Sequence, residues 1–346
     1  MKRLRNNESI SSLIERLWFY ASVDGALEES SAFEDFFNSR EGLDIDYYND
    51  DDLAKLNSII EPVQPNLAGA SKPYTQFYLL DSASRISFCP ACAEEDLKSA
   101  RTIIWRIHWS YGWYVVCLEH SCMLMTISKG NYISRVGQRT ESALRMLACR
   151  PHAKYSVSLL PPDSITTSTI PHNFMRAECE ILDIALRVQK RIMYLIEAGN
   201  YGCSELAMIS DLLALTLRGH VRGKEIIPYS YRLAKQLTGI GYSNYIDMGS
   251  KHATVMTGEY AVCASYPRMI GLALTAAIIR HSGVDFRWYR VCDLLAERGI
   301  LVPRTSKLLY LAVVGGADTA EHRWYLKRVK SYPIELRKIC KEYYTI

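Results

Sequence analysis

Two close pairs of metal-binding side chains stand apart from the rest of this chain: Cys89-x2-Cys92 and, after a 24-residue spacer, Cys117-x2-His120. Two pairs on separate turns, joined by a loop long enough to return the second to the first, are how a chain surrounds a tetrahedral cation. Thiolate with imidazole suits zinc. Three sulfurs and one nitrogen fill all four positions, so the expectation is one structural zinc ion per chain with no position left for a water. Pro90 follows the first cysteine, where its fixed φ helps form a knuckle turn. The second pair follows Val115-Val116, the end of an aromatic and β-branched run, as expected of a strand that delivers ligands into a turn. Two other readings stay open. Cys122, two residues past His120, can replace it as fourth ligand, and a chain with ten cysteines will bring some of these often-buried residues close without any metal.

An enzyme makes different demands on the same residues. A zinc hydrolase needs three protein ligands, a water and a general base. Glu94, Glu95 or Glu119 would have to be that base while one of the four ligands stayed off the metal. A nucleophilic Cys117–His120 pair meets the same objection. The sequence offers no phosphate-cradling glycine loop and no acidic triad for two-metal strand transfer. No catalytic residue is therefore assigned, and zinc is the sole cofactor expected.

The stretch Phe88-Cys-Pro-Ala-Cys-Ala-Glu-Glu-Asp96, then Trp105-Arg106-Ile-His108-Trp109, then Val116-Cys117-Leu-Glu-His120, resembles the signature of the TniQ/TnsD family of transposon target-selection proteins. The opening Asn7-Glu8-Ser9-Ile10-Ser11-Ser12-Leu13-Ile14-Glu15-Arg16-Leu17 is similar to that family's glutamate-serine helix. Together these cover roughly a quarter of the chain. The family often has proline after the third ligand and glycine after the histidine, where this chain has Leu118 and Ser121. Many members carry a second zinc ribbon, but the later cysteines here, Cys149, Cys179, Cys203, Cys263, Cys292 and Cys340, are isolated, so one metal site is expected.

The resemblance implies a non-catalytic subunit that selects where a transposon inserts. Members either read an attachment site in DNA, as TnsD-like proteins do, or dock on an RNA-guided Cascade complex. In both cases they engage the AAA+ ATPase TnsC, and the resemblance also implies a homodimer. At 346 residues the chain is shorter than TnsD-like site readers. The first expectation is thus the CRISPR-associated TniQ role, the alternative is sequence-specific DNA binding, and the remote alternative is zinc hydrolysis.

Charge is unevenly spread behind a net charge of +4. Asp24 to Asp52 holds eleven acidic residues against Arg40 alone, whereas the last sixty residues hold twelve Lys and Arg against six Asp and Glu. The basic end suits phosphate and the acidic stretch suits a basic protein face. Arg304, Lys307, Arg323, Lys327 and Arg328 are the nucleic-acid candidates. The rings of Trp105, Trp109, Tyr111, Trp113 and Tyr114 are of the kind on which bases stack, but a single zinc knuckle has little core of its own. Packing around the metal loop is the favoured reading of these rings.

The elements that must position these residues read as mainly α. Helical spacing runs from Ser11 to Ala21, with Leu13, Ile14, Leu17, Trp18 and Ala21 on one face and Ser9 or Ser11 as cap. Phe33, Phe36 and Phe37 mark a second short helix, and Leu53, Leu56 and Ile60 a third, which together suit a helix-turn-helix. Glu178 to Glu197 and Glu205 to Arg218 are further helices. From Tyr289 to Ala312 an apolar face, Gly299, a Thr305 or Ser306 cap and Lys307 to Val313 have the order of a helix-turn-helix. The expected organisation is an N-terminal helical domain over 1–60, a linker over 61–85, a zinc module with short strands over 86–128, a linker-rich connection over 129–175 and a C-terminal helical domain over 176–346. The basic start runs into Asn6-Asn7-Glu8 and not into an apolar core, so it is no secretory signal. The longest apolar run, Met269 to Ile279, is too short to span a bilayer. With scattered cysteines suiting a reducing compartment, bacterial cytoplasm and no membrane partner are expected.

Overall fold

The computed structural model describes residues 8–16, 36, 46, 50–60, 80, 85–100, 102–127, 138–148, 172–200, 202–217, 220–221, 224–225, 228–239, 264–280, 284–314, 327–332, 334 and 337. The protein is mainly helical with two small two-stranded sheets among these residues. It divides into one unit of residues 1–111 and 125–154 and another of 112–124 and 155–346.

The first unit opens with α1, residues 10–16, capped by Ser9, whose hydroxyl accepts from Ser12 N at 3.1 Å. Ile10, Leu13 and Ile14 are buried. Leu17, Trp18 and Ala21 of the expected face lie outside the described residues, as do Phe33, Phe37 and the turns of the expected N-terminal helix-turn-helix. α2 follows at Asp50–Ile60. β1, Ser87–Phe88, pairs antiparallel with β2, Met125–Thr126, in the register Ser87 to Thr126 and Phe88 to Met125. Between them lie α3, Pro90–Ala100, and a 3-10 turn, Ile107–Ser110. α4, Gln138–Ala148, closes the unit. It falls within the stretch read from sequence as a connection. Its buried positions are Arg139, Thr140, Ser142 and Ala143, three of them polar, so the apolar periodicity that betrays most helices is missing.

Those polar groups belong to a set of ion pairs inside this unit. Arg16 binds Glu8 with two hydrogen bonds, at 3.0 and 2.8 Å. Arg85 reaches Asp46 at 2.6 Å, Asp46 also accepts from Ser11 N and Oγ, and Arg139 Nε lies 3.1 Å from Glu15. Burial raises the pKa of Glu15, opposed by Arg139 and Thr140. Buried charges survive only when paired and hydrogen-bonded, so each of these pairs fixes which segments meet more than it adds net stability.

The second unit is built on α8, Ser265–Ile278, which is buried along its whole length. A helix apolar on every side belongs in a core, and α8 packs against α5 (His172–Glu197), α6 (Ser204–Leu217), α7 (Tyr229–Thr238), α9 (Val284–Ala296) and α10 (Ser306–Val314). At Gly271 the approach of α6 is closest: a Cβ there would sit 2.9 Å from Thr216 Oγ1 and 3.0 Å from Leu217 Cδ2. β3, His220–Val221, and β4, Lys224–Glu225, form a small antiparallel pair. Polar side chains tie this unit too. The Tyr266 hydroxyl donates to buried Glu178, and Asp211 accepts from Arg328 Nε at 2.9 Å and Tyr332 Oη at 2.5 Å. Among the described residues no helix is long and apolar enough to cross a membrane.

Candidate metal centre

Each cysteine-bearing turn is built by its own local logic. Pro90 starts α3, the position where a missing N–H costs nothing and φ is already helical. Cys89 then stands as the N-cap: its carbonyl accepts from Ala93 N at 3.0 Å and its sulfur accepts from Cys92 N at 3.4 Å. Cys92 lies within the first turn, so both sulfurs sit at the helix end whose free N–H groups favour negative charge.

The second pair comes from a tight hairpin. Leu124 N donates to Val115 O at 2.8 Å, Val116 bridges Met123, and Cys117 N donates to Cys122 O at 2.8 Å. The chain reverses through residues 118–120, with Ser121 at φ 49°. Gln189, buried in α5, holds the outer edge of the hairpin: its Oε1 accepts from Val115 N at 2.8 Å and Val116 N at 3.0 Å, and its Nε2 donates to Val116 O at 2.7 Å. This residue has no signature in sequence, since a glutamine inside a long amphipathic helix reads as surface.

Ligand atoms of Cys89, Cys92, Cys117 and His120 all lie within 4.8 Å of one another. Cys117 Sγ is 3.7 Å from His120 Nδ1, close to the edge of about 3.6 Å that a tetrahedron with zinc-like bond lengths would have. The three cysteines are buried and the histidine is half-buried. The cluster can therefore hold one metal ion. Cys122 is not in the group that comes together; it shapes the turn through its carbonyl.

The Trp105–Arg106 element is an internal brace. Asp96, buried one turn after Cys92, accepts from Ile104 N at 3.1 Å and from Arg106 Nη1 and Nη2 at 2.8 and 3.2 Å. Arg106 lies over the Trp109 ring at 4.9 Å, and Arg139 lies over Trp105 at 4.1 Å. Trp105 meets Phe88 and Trp109 edge to face. Trp105, Trp109, Tyr111, Trp113 and Tyr114 are all buried, so none presents a free face for a base to stack on.

The TniQ family model matches residues 60–124, roughly a fifth of the chain, and this span contains all four ligands and the Trp105–Arg106 brace. Over these residues the chain is similar to the TniQ family. The domain supports a transposition-associated role. No curated protein and no solved structure shows significant similarity to the chain.

The five nucleic-acid candidates lie beyond the TniQ domain. Arg304 pairs with Asp293 at 2.5 Å, Arg328 is held by Asp211, Lys307 is half-buried, Lys327 is exposed, and Arg323 lies outside the described residues. The helix pair expected here exists. Gly299, at φ 72°, turns the chain after α9, and Thr305 caps α10 by accepting from Leu308 N at 3.3 Å. Ser306 is buried and donates to Ala277 O at 2.9 Å. The outward positions of α10 are Lys307, Leu308, Leu311 and Ala312, which offer one cation and no side chain suited to bidentate reading of a base edge.

Proposed function

We propose that this protein is a non-catalytic target-selection adaptor in transposition, joining an RNA-guided Cascade-type complex to the AAA+ regulator TnsC in the bacterial cytoplasm. The observation that supports this reading is the match to TniQ over residues 60–124, a span that holds the four converging ligand atoms. On this reading the ion is zinc, held by Cys89, Cys92, Cys117 and His120, and it supplies a covalent-strength tie between two turns and no reaction chemistry. A homodimer and DNA contact belong to the same reading.

The organisation in sequence gives the roles. On this reading the segment 1–60, with its acidic stretch, offers a surface for basic protein partners, the zinc module over 86–128 fixes the chain that follows it, and the segment 176–346 carries the basic end. The test is reconstitution: purified protein should retain TnsC and the guide complex in pull-downs, and Asp50→Asn with Asp51→Asn and Asp52→Asn should weaken retention at low salt while circular dichroism stays unchanged. Retention of neither partner by folded, metal-loaded protein would overturn the adaptor role.

A second reading is a direct reader of an attachment site, favoured by the helix pair 284–314 and the basic end. It requires duplex binding roughly 10³-fold or more tighter than to random DNA, falling as salt rises. The apolar outward face of α10 argues for the adaptor. A gel shift with competitor DNA that shows tight, site-specific binding would reverse the order of the two.

A further inference from the structure

We propose that the opening segment 8–16 is a metal-dependent element, its docking thermodynamically linked to occupancy of the Cys/His site, with Asp96 as the positioning residue between the two. The inference rests on the metal assignment above and concerns residues that assignment does not use.

The path is short and made of hydrogen bonds. Cys89 caps α3, Cys92 lies in its first turn, and Asp96 is one turn further along the same helix. Fully buried, Asp96 fixes the backbone at Ile104 and both terminal nitrogens of Arg106. The residues so fixed flank Trp105, and Trp105 with Arg106 is the docking edge for the opening segment. Glu8 bridges Arg106, Ser9 N donates to Trp105 O at 3.0 Å, and Trp105 N donates to Ser12 Oγ at 2.8 Å. Within the segment Glu8 accepts from Ser12 Oγ at 3.2 Å and from Arg16, so the Ser12 hydroxyl serves the carboxylate and Trp105 together.

Residues 8–16 are held at this edge by those hydrogen bonds and by burial of Ile10, Leu13 and Ile14. An ion that ties the first turn of α3 steadies Asp96, Asp96 steadies 104–106, and 104–106 hold 8–16. Because coupling between two equilibria is reciprocal, a change that loosens 8–16 must weaken metal binding by the same factor that metal loss loosens 8–16. A cell low in the metal, or oxidising the thiols, would then withdraw the amino-terminal segment from partners.

The experiment uses full-length protein with zinc as the probe ion. Hydrogen exchange is followed before and after removal of zinc by a chelator, with metal content measured in each sample. The expected result is faster exchange at 8–16 and 104–106 with protection retained at 265–278. A second arm measures zinc affinity by chelator competition for Ser12→Ala and Arg16→Gln, with circular dichroism to confirm folding. About tenfold weaker affinity or more in either folded variant supports the link, within the range known for groups that orient ligands from outside the coordination sphere. Unchanged exchange at 8–16 in zinc-free protein, or unchanged affinity in both folded variants, overturns it. If chelation unfolds the whole chain, the affinity arm decides. Purified protein that never takes up zinc, and is folded, would instead remove the metal assignment itself.

Discussion

Ser121 sits where the ligand hairpin must turn, with φ at 49°, a left-handed conformation that costs a side chain about 1–2 kcal/mol. Glycine, which stands after the histidine in many relatives that the sequence resembles, would carry no such cost. Ser121→Gly should raise stability by about 1 kcal/mol in chemical denaturation and keep metal binding, whereas Ser121→Val should lower both. The ligand set makes a second residue-level prediction. Cys122→Ser should retain one zinc per chain by elemental analysis, and His120→Ala should lose tight binding, because the Cys122 sulfur is not among the four atoms that converge. Glu178 makes a third. Burial pushes its pKa up to about 7 against the opposing hydrogen bond from Tyr266. The folded state thus keeps this proton to higher pH than the unfolded chain does, so its contribution to stability is full below about pH 4.5, falls as pH rises to about 7 and is level beyond. The change is about 3 kcal/mol at most. Glu178→Gln should flatten thermal stability between pH 5 and 7.5, and an unchanged slope would show that other groups set it. The four residues that converge were legible in sequence because metal chemistry demands close pairs. Asp46, Asp96 and Gln189 were not, since a buried polar residue is defined by partners far along the chain, here 39 residues for Asp46 with Arg85 and 73 for Gln189 with Val116.

Elements obey the same division. α6 and the pair α9 and α10 announce themselves by apolar spacing and by Gly299 and Thr305, and they lie close to where that spacing puts them. α5 starts earlier than its apolar period, at His172. α4 was hidden because its inner face is made of Arg139, Thr140 and Ser142. The ligand hairpin is the element most dependent on tertiary support, since its edge is satisfied by one side chain. Gln189→Leu would leave two buried N–H groups and a carbonyl without their partner, each at about 1–3 kcal/mol. The variant should be destabilised by several kcal/mol in urea, and zinc should restore part of the loss by mass action. A Gln189→Leu protein as stable as wild type would mean that the hairpin is held by other contacts.

At the scale of the whole molecule, polar effort is concentrated on holding segments in place. Ion pairs bury inside the first unit, Asp211 fastens the segment 327–332 in the second, and the thiols and imidazole converge on one cluster that can hold a metal ion. On the adaptor role proposed above, loss of the protein should change where insertion happens and leave strand joining untouched. The direct measurement is sequencing of insertion junctions from a transposition assay with and without the gene. The account predicts that loss of the protein abolishes insertion at the programmed target while any residual junctions keep their normal end structure. Normally targeted insertion in its absence would contradict it.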